Sequence, residues 1–256
     1  MIDLSTNAKN TWCPGCTNFV ILAAFKNVLN DLITEGYSKD NFVMVAGIGC
    51  HGKIPDFVNI NSFISLHGRD VATAEGIKIA NLGLTVVSFA GDGDAYAEGI
   101  EHLVHAAKRN TNISLFVHNN QVFGLTTGQA TPTSPKGYKG RSTPFGSPEE
   151  PFNPLLVVLA AGATFVARAW AMDPNGLRDI MKRAIKHKGF AIIDIIQPCI
   201  TFADTREFYK DKIVPLGSDW PTNDLGKAME KVRENSGPVP VGVFYEIDKP
   251  IFEDQL

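Results

Sequence analysis

Short, continuous apolar runs alternate along this sequence with stretches of helical periodicity. The runs have strand length and lie at 41–50, 84–91, 113–117 and 190–196. Apolar residues recur at helical spacing over 18–33, 72–82, 97–108, 153–161 and 175–186. Strands that are apolar throughout are typical of sheets covered on both faces, and alternation of strand and helix favours parallel pairing. The sequence therefore predicts an α/β fold with a doubly wound, mainly parallel sheet, which binds ligands beyond the carboxyl ends of its strands.

Length and charge narrow the possibilities further. With ~150 residues per domain as a guide, 256 residues predict one large domain or one domain with a tail. We expect an α/β domain over 1–204 and a C-terminal extension over 205–256 that packs on it or on a partner subunit. The formal net charge of −3 excludes a strongly basic nucleic-acid-binding protein.

The sequence contains no segment typical of secretion or membrane insertion. Its N-terminus lacks the basic and apolar regions of a signal peptide. The longest apolar stretch, 155–167, is shorter than the ~20 residues of a transmembrane helix, and we interpret it as a buried helix. We therefore expect a soluble, cytoplasmic protein that does not bind membranes.

Two polar motifs follow neighbouring predicted strands. Gly91-Asp92-Gly93 ends one strand, and Asn119-Asn120 ends the next. Glycines allow the backbone to approach a diphosphate, and the oxygens of Asp92 and Asn120 suit Mg²⁺. Each motif alone is common in turns and strand caps. The pair, with a helix and a strand between, favours a diphosphate and magnesium site.

The four cysteines are Cys13, Cys16, Cys50 and Cys199. The first two are close enough in sequence to bind one metal centre, and the other two follow predicted strands of the same sheet. A four-cysteine zinc site and a [4Fe–4S] cluster would each use all four thiols. A redox-active Cys-x-x-Cys pair would use two. The spacing does not separate zinc from the cluster.

Longer runs of sequence around these motifs are more specific than the short motifs themselves. They are DAYAEGIEHLVHAAKRN at 94–110, NNQVFGLTTGQ at 119–129 and TPTSP at 131–135. Together with the strand-end motifs they resemble the β subunit of 2-oxoacid:ferredoxin oxidoreductases. The resemblance extends from Trp12 to about Phe244, and it implies the fold of a thiamine-diphosphate-binding domain.

The resemblance also implies the ligands of three cofactors. Mg²⁺ would be held by Asp92, Asn120 and the backbone carbonyl of Val122. One [4Fe–4S] cluster would be held by the four cysteines, although Thr17 stands where the family commonly has glycine. The residues implied to contact thiamine diphosphate are Ile48, Gly49, Cys50, His51, His67, Gly93, Asp94, Gly124 and Leu125.

Three residues are candidates for catalysis, and one of them, His67, is also implied to contact thiamine diphosphate. His67 belongs to a His-Gly-Arg run that is typical of the family. Lys53 follows Cys50 closely and could bind a substrate carboxylate, although a surface lysine is the usual alternative. Arg69 could contact phosphate or substrate, or could pair with Asp70 or a partner chain. We interpret Glu98, Glu101, His102 and His105 as a polar helix face rather than a di-metal site.

The resemblance implies reversible oxidative decarboxylation of a 2-oxoacid to an acyl-coenzyme A and CO₂, with ferredoxin as electron acceptor. The glutamate that activates the cofactor would come from an α-type subunit. We therefore expect the chain to be inactive alone, with 126–151 as a candidate contact surface. Two alternatives remain: a cluster-free thiamine-diphosphate decarboxylase or synthase subunit, and a non-enzymatic zinc-binding interaction module.

Overall fold

A computed structural model describes residues 2–234 and 237–256 of the chain. Within those residues, eight strands form a central sheet in the order β2-β1-β3-β4-β8-β7-β10-β9, and β5 and β6 form a separate hairpin. The strands are β1 (Phe42–Ala46), β2 (Asn61–Ile64), β3 (Thr85–Gly91), β4 (Ser114–Asn119), β5 (Val122–Phe123), β6 (Gln129–Ala130), β7 (Phe165–Trp170), β8 (Ala191–Ile196), β9 (Ile213–Pro215) and β10 (Val239–Glu246).

Helices connect most of these strands. Short 3₁₀ segments lie at Lys39–Asn41, His51–Phe57 and Phe252–Gln255, and a π-helical turn lies at Asp94–Glu98. The α-helices are α1 (Asn18–Thr34), α2 (Asp70–Ala80), α3 (Ile100–Arg109), α4 (Pro154–Ala161), α5 (Pro174–Lys186), α6 (Arg206–Tyr209) and α7 (Leu225–Arg233). None of these helices is both long and apolar enough to cross a membrane, over the part of the chain that the structure describes.

The strand directions confirm the predicted fold class. Six neighbouring strands of the sheet, in the order β2-β1-β3-β4-β8-β7, pair in parallel. The strand β10 runs antiparallel to β7, and β9 is parallel to β10. The carboxyl ends of β1, β3, β4 and β8 therefore meet at one edge of the sheet.

The central strands of the sheet are buried on both faces, and their side chains alternate between two hydrophobic clusters. Phe89 of β3 packs in the cluster that contains Phe25 of α1 and Met181 of α5. Ala90, the next residue, packs in the cluster that contains Leu103 of α3 and Leu155 of α4. This alternation explains why the strands are apolar throughout.

The prediction of one buried helix over 155–167 is wrong beyond Ala161. Helix α4 ends at Gly162, whose φ of 104° is left-handed and whose amide donates to the carbonyls of Val158 and Leu159. The following residues form β7, which lies between β8 and β10. A glycine in the left-handed conformation commonly ends a helix, so one continuous apolar run here supplies two elements.

The C-terminal segment contributes to the same sheet. Asp224 caps α7 by accepting a hydrogen bond from the amide of Lys227 at 3.0 Å. After α7 the chain returns as β10, which pairs with β7 from Glu246 to Gly242. The division at residue 204 stays a prediction, but β10 ties residues beyond it to the central sheet.

The aromatic contacts of Phe25 lead to a stability prediction. Phe25 is fully buried, and its ring lies 4.9 Å from the ring of Phe89. We expect Phe25→Ala to lower the free energy of unfolding by about 3–5 kcal/mol, because it leaves a cavity between α1 and the sheet. Urea denaturation measures the change.

Phe145→Ala is the matched control, because the Phe145 side chain is 97% exposed. Its effect should stay within about 0.5 kcal/mol. Equal losses for the two variants would contradict the assignment of Phe25 to the core.

Candidate active site

Four loops converge where β1, β3, β4 and β8 end. Residues 47–50 follow β1, 92–94 follow β3, Asn120 follows β4, and Cys199 lies beyond β8. These loops line two adjoining cavities, which we call the aspartate cavity and the thiol cavity.

The aspartate cavity has a volume of about 60 Å³. All the residues predicted to contact thiamine diphosphate or Mg²⁺ line it. The full lining is Ile48, Gly49, Cys50, His51, His67, Gly91, Asp92, Gly93, Asp94, Asn120, Val122, Phe123, Gly124, Leu125 and Thr126. Sequence and structure therefore select the same group of residues, while their roles remain predictions.

Asp92 is buried and held by two threonines. The hydroxyls of Thr131 and Thr133 each lie 2.6 Å from Asp92 Oδ2. Burial raises the pKa of Asp92 to about 6, although these hydrogen bonds act in the opposite direction. Thr133 also lies 2.9 Å from Asn119 Oδ1. The sequence reasoning noted these threonines within 131–135 but assigned them no role.

Asp94 connects three loops. Its carboxylate lies 2.8 Å from His51 Nε2, accepts a hydrogen bond from the backbone amide of Gly68, and lies 3.3 Å from His67 Nδ1. At Gly47 a Cβ atom would lie 1.8 Å from Asp94 Oδ2, so the approach requires glycine. Asp94 thereby fixes the positions of the loops before α2 and after β1 and β3.

The segment after Asp92 begins as a π-helical turn rather than as the expected α-helix. The turn spans Asp94–Glu98, and α3 begins only at Ile100, three residues later than predicted. Single π-helical turns are frequent at functional sites. Arg69 reinforces the turn, since its guanidinium donates to the carbonyls of Gly68 and Glu98, each at 3.0 Å.

The three candidate catalytic residues lie in different places. His67 lines the aspartate cavity, and Lys53 lines the thiol cavity. Arg69 is not among the described residues that line either cavity. Its contacts join the loop before α2 to the π-helical turn, and its predicted contact with phosphate or substrate stays a prediction.

The predicted polar helix face extends from the π-helical turn onto α3. Glu98, Glu101 and His105 are exposed, and His102 is half-buried with its Nε2 lying 3.6 Å from Glu101 Oε1. This pattern agrees with a polar surface.

The thiol cavity has a volume of about 220 Å³. Its lining includes all four cysteines, which are free thiols, together with Lys53 and Asn18. Burial raises the pKa of Cys50 to about 11 and also raises that of Cys16. In residues 2–234 and 237–256, no three Cys, His, Asp or Glu side chains are arranged to hold a single metal ion.

Hydrogen bonds hold the cysteine-bearing segments together. The amide of Cys16 donates to the carbonyl of Cys13 at 3.0 Å, and the indole N–H of Trp12 donates to the carbonyl of Cys50 at 2.6 Å. The hydroxyl of Thr17 donates to the carbonyl of Pro198 at 3.1 Å. Thr17 thus joins the segment of Cys16 to that of Cys199.

The two cavities share part of their lining. Cys50, Asn120, Gly124 and Leu125 contribute to both. A Cβ atom at Gly124 would lie 3.6 Å from Cys199 Sγ and 3.8 Å from Cys50 Sγ. The backbone at Gly124 therefore lies close to two of the thiols while it also borders the aspartate cavity.

Comparison with known proteins identifies the family. Residues 47–195, more than half of the chain, match the thiamine pyrophosphate enzyme, C-terminal TPP binding domain. Residues 199–256 match the family that describes the C-terminal part of the pyruvate ferredoxin oxidoreductase beta subunit. The β subunit of 2-oxoacid:ferredoxin oxidoreductase 1 from Aeropyrum pernix is 42% identical, over 98% of this chain and 82% of its own. The chain belongs to the β subunits of 2-oxoacid:ferredoxin oxidoreductases.

Other relatives agree with that assignment of the β subunit. The corresponding subunit from Saccharolobus solfataricus is 41% identical over 93% of this chain and 82% of its own. A solved 2-oxoglutarate:ferredoxin oxidoreductase from Magnetococcus marinus, with 2-oxoglutarate, coenzyme A and succinyl-CoA bound, superposes with a TM-score of 0.94. It is 38% identical, and the match covers 98% of this chain and 86% of that one. The protein is thus a component of an oxidoreductase.

The buried carboxyl group of Asp70 leads to a prediction about pH and stability. Burial first, and then the charge of Asp94, raise the pKa of Asp70 from 3.8 to about 7, while Ser88 donates to it at 2.7 Å and His51 lowers it. Between these two pKa values the folded chain holds a proton that the unfolded chain has lost. Stability from this group therefore falls as pH rises from about 4 to about 7.

We expect Asp70→Asn to remove this slope, because asparagine can still accept from Ser88 without becoming charged. The unfolding free energy of the variant relative to wild type should rise by on the order of 2 kcal/mol between pH 5 and pH 8. Urea denaturation at each pH measures it. The exposed Asp219→Asn is the control, and parallel pH profiles for wild type and Asp70→Asn would contradict the prediction.

Proposed function

We propose that this β subunit binds thiamine diphosphate through Mg²⁺, holds one [4Fe–4S] cluster on its four cysteines, and acts with an α-type subunit. The complex would convert a 2-oxoacid reversibly to an acyl-coenzyme A and CO₂, with ferredoxin accepting the electrons. The observation that carries the proposal is the shared lining of the aspartate and thiol cavities. It supports direct electron transfer between two cofactors bound side by side.

The residues of the aspartate cavity fit a magnesium diphosphate. Asp92 and Asn120 offer carboxylate and amide oxygens, the ligand types that Mg²⁺ prefers, and the carbonyl of Val122 would be the third. Burial is the main cause of the raised pKa of Asp92, and a bound cation would stabilise its charged form. When bound, thiamine diphosphate supplies the carbanion chemistry of decarboxylation. Exposed Ile48 and Leu125 at this cavity offer apolar contacts to its rings.

The thiol cavity fits an iron–sulfur cluster. Four thiols from three separate segments border one volume of about 220 Å³, and iron–sulfur clusters are commonly held by four cysteine thiolates. The raised pKa of Cys50 means that metal binding must displace its proton, which is usual for a thiolate ligand. The cluster, when bound, supplies a one-electron acceptor.

Substrate recognition would involve Lys53 and His67. Lys53 opposes the rise of the Cys16 and Cys50 pKa values, so its ammonium group acts on the thiol cavity. Because the two cavities adjoin, that cation can also attract the carboxylate of a 2-oxoacid at their junction. His67 lines the aspartate cavity, and its Nδ1 lies 3.3 Å from Asp94 Oδ1 and 3.4 Å from Glu98 Oε2. Arg69 would act indirectly, by holding the loop that contains His67 and Gly68 against the π-helical turn.

Exposed apolar side chains beside the cavities support a covering partner subunit. Leu66, next to His67, is 76% exposed, and large exposed apolar groups commonly mark interfaces. The loop at 126–151 carries exposed Phe145, although its Thr131 and Thr133 are buried against Asp92. This loop would therefore support the metal ligand and present a contact surface for the α-type subunit. Both the solved relative and the Aeropyrum protein are named for a ferredoxin-linked oxidoreductase.

Thr133→Val tests how Asp92 is positioned. The variant keeps the shape of the side chain but removes the hydroxyl that lies 2.6 Å from Asp92 Oδ2. We expect Mg²⁺-dependent binding of thiamine diphosphate to weaken about 10–100-fold, as when a residue supporting a metal ligand is lost. Isothermal titration calorimetry measures the affinity.

Thr143→Val, in the same loop but bonded to Tyr138, is the control and should bind as wild type. An unchanged affinity in Thr133→Val would show that this hydroxyl does not position the metal ligand.

Two reciprocal variants test the proposed function. The anaerobically purified β subunit should contain about four iron and four sulfide, and the complex with its α-type subunit should reduce ferredoxin with 2-oxoglutarate or pyruvate. Cys199→Ser should lose iron and retain thiamine-diphosphate binding. Asp92→Asn should lose that binding and retain iron. Each should lower 2-oxoacid-dependent activity by more than about 100-fold.

Zinc without iron in the wild-type subunit would overturn the proposed redox role. Iron that persists in Cys199→Ser would reject the four-cysteine ligand set. Full turnover by the isolated β subunit would reject the requirement for a partner.

A further inference from the structure

Asn18 has a buried donor that the site as described does not use. It is the first residue of α1, two positions after Cys16, and it is 1% exposed. It lines the thiol cavity together with the four cysteines. Within the described chain, its side-chain Nδ2 is buried without a hydrogen-bond partner. A buried polar group of this kind calls for an acceptor.

The orientation of this amide is fixed from its other end. Asn18 Oδ1 lies 2.8 Å from Gln197 Nε2 and 2.8 Å from His118 Nδ1. Because an amide oxygen can only accept, His118 must carry its proton on Nδ1. Burial keeps the pKa of His118 well below 6.5, so the ring is neutral. Turning the amide over would oppose its Nδ2 to the Nε2 donor of Gln197, and Nδ2 therefore points away from Gln197.

Among the groups that line the thiol cavity with Asn18, the four cysteine sulfurs can accept a hydrogen bond. Cys16 lies two positions before Asn18, and both residues line this cavity. The side-chain amide of Asn18 therefore shares this volume with the cysteine sulfurs.

We propose that the side-chain amide of Asn18 donates a hydrogen bond to a sulfur of the iron–sulfur cluster and thereby raises the cluster's reduction potential. This inference rests on the proposed function, since it needs the cluster in the thiol cavity. Hydrogen bonds to cluster sulfurs help to set the potential, because they stabilise the extra negative charge of the reduced state. Asn18 would make electron transfer from the neighbouring cofactor more favourable.

The same amides connect the donor to the aspartate cavity. Gln197 Oε1 accepts from Asn120 Nδ2 at 3.3 Å, while Gln197 Nε2 donates to Asn18. Gln197 therefore connects Asn18 to Asn120, and Asn120 lines both cavities. Losing the Gln197 amide should loosen the Asn18 donor without removing it.

The test is a redox titration, followed by electron paramagnetic resonance, of the complete α–β complex. Asn18→Leu removes the side-chain donor at similar size and keeps the backbone N–H. We expect its cluster to become about tenfold harder to reduce, a downward shift of about 59 mV for a one-electron couple. Gln197→Leu should shift the potential in the same direction by less. Asn27→Leu makes the same change at an exposed position of α1 and should leave the potential unchanged.

Iron and sulfide content, measured on the same samples, separates the possible failures. A wild-type complex whose β subunit lacks the cluster would overturn the proposed function, and this inference with it. A fully loaded Asn18→Leu complex whose potential matches wild type would overturn this inference alone. If Asn18→Leu loses its cluster, a Gln197→Leu potential equal to that of wild type would overturn it.

Discussion

The hydrogen-bonded register of four parallel strands is the constraint on which the site depends. Ala46 of β1 pairs with Phe89 of β3, Gly91 pairs with His118 of β4, and Asn119 pairs with Ile196 of β8. Each strand therefore ends within a few residues of its neighbours, and the polar loops begin at one edge. A one-residue slip would turn every strand side chain to the opposite face. Burial on both faces excludes such a slip, so hydrophobic packing sets the positions of polar residues that it never touches.

At that edge, buried polar groups must find partners, because an unpaired one carries a desolvation cost. Asp94 is satisfied by His51 and Gly68, and Asp92 by Thr131 and Thr133. These contacts rigidify the loops before any ligand binds, which lowers the entropic cost of binding. Buried polar groups that lack a partner therefore indicate where a ligand could bind. Where the described chain supplies no acceptor, as for the amide nitrogen of Asn18, the missing partner points to something that the cavity is built to receive.

The local sequence pattern predicted the sheet and the residues at its strand ends. Each apolar run is continuous in sequence, and the polar motif of its strand end follows it directly. The pattern missed β7, since an apolar helix and a buried strand look alike when only Gly162 separates them. It also missed the roles of Asn18, Gln197 and Thr133. These residues act through contacts across 179 positions in one case and 41 in another, and nothing in the local pattern of an asparagine, glutamine or threonine records such a contact. The sequence resemblance indicated segments that line the two cavities, but it did not show which side chains support them.

Thr17 shows how a departure from a family pattern can be understood once contacts are known. Glycine is required where the backbone is left-handed, but Thr17 has a φ of −69°, which any residue adopts. The position therefore has no conformational need for glycine. A threonine there adds a buried hydroxyl, and that hydroxyl finds the carbonyl of Pro198 at 3.1 Å. With the neighbouring bond between Asn18 and Gln197, it fastens the segment after Cys16 to the segment before Cys199. Two cysteines separated by most of the chain are thus held together by the residues beside them, and the thiol cavity keeps its shape without a disulfide.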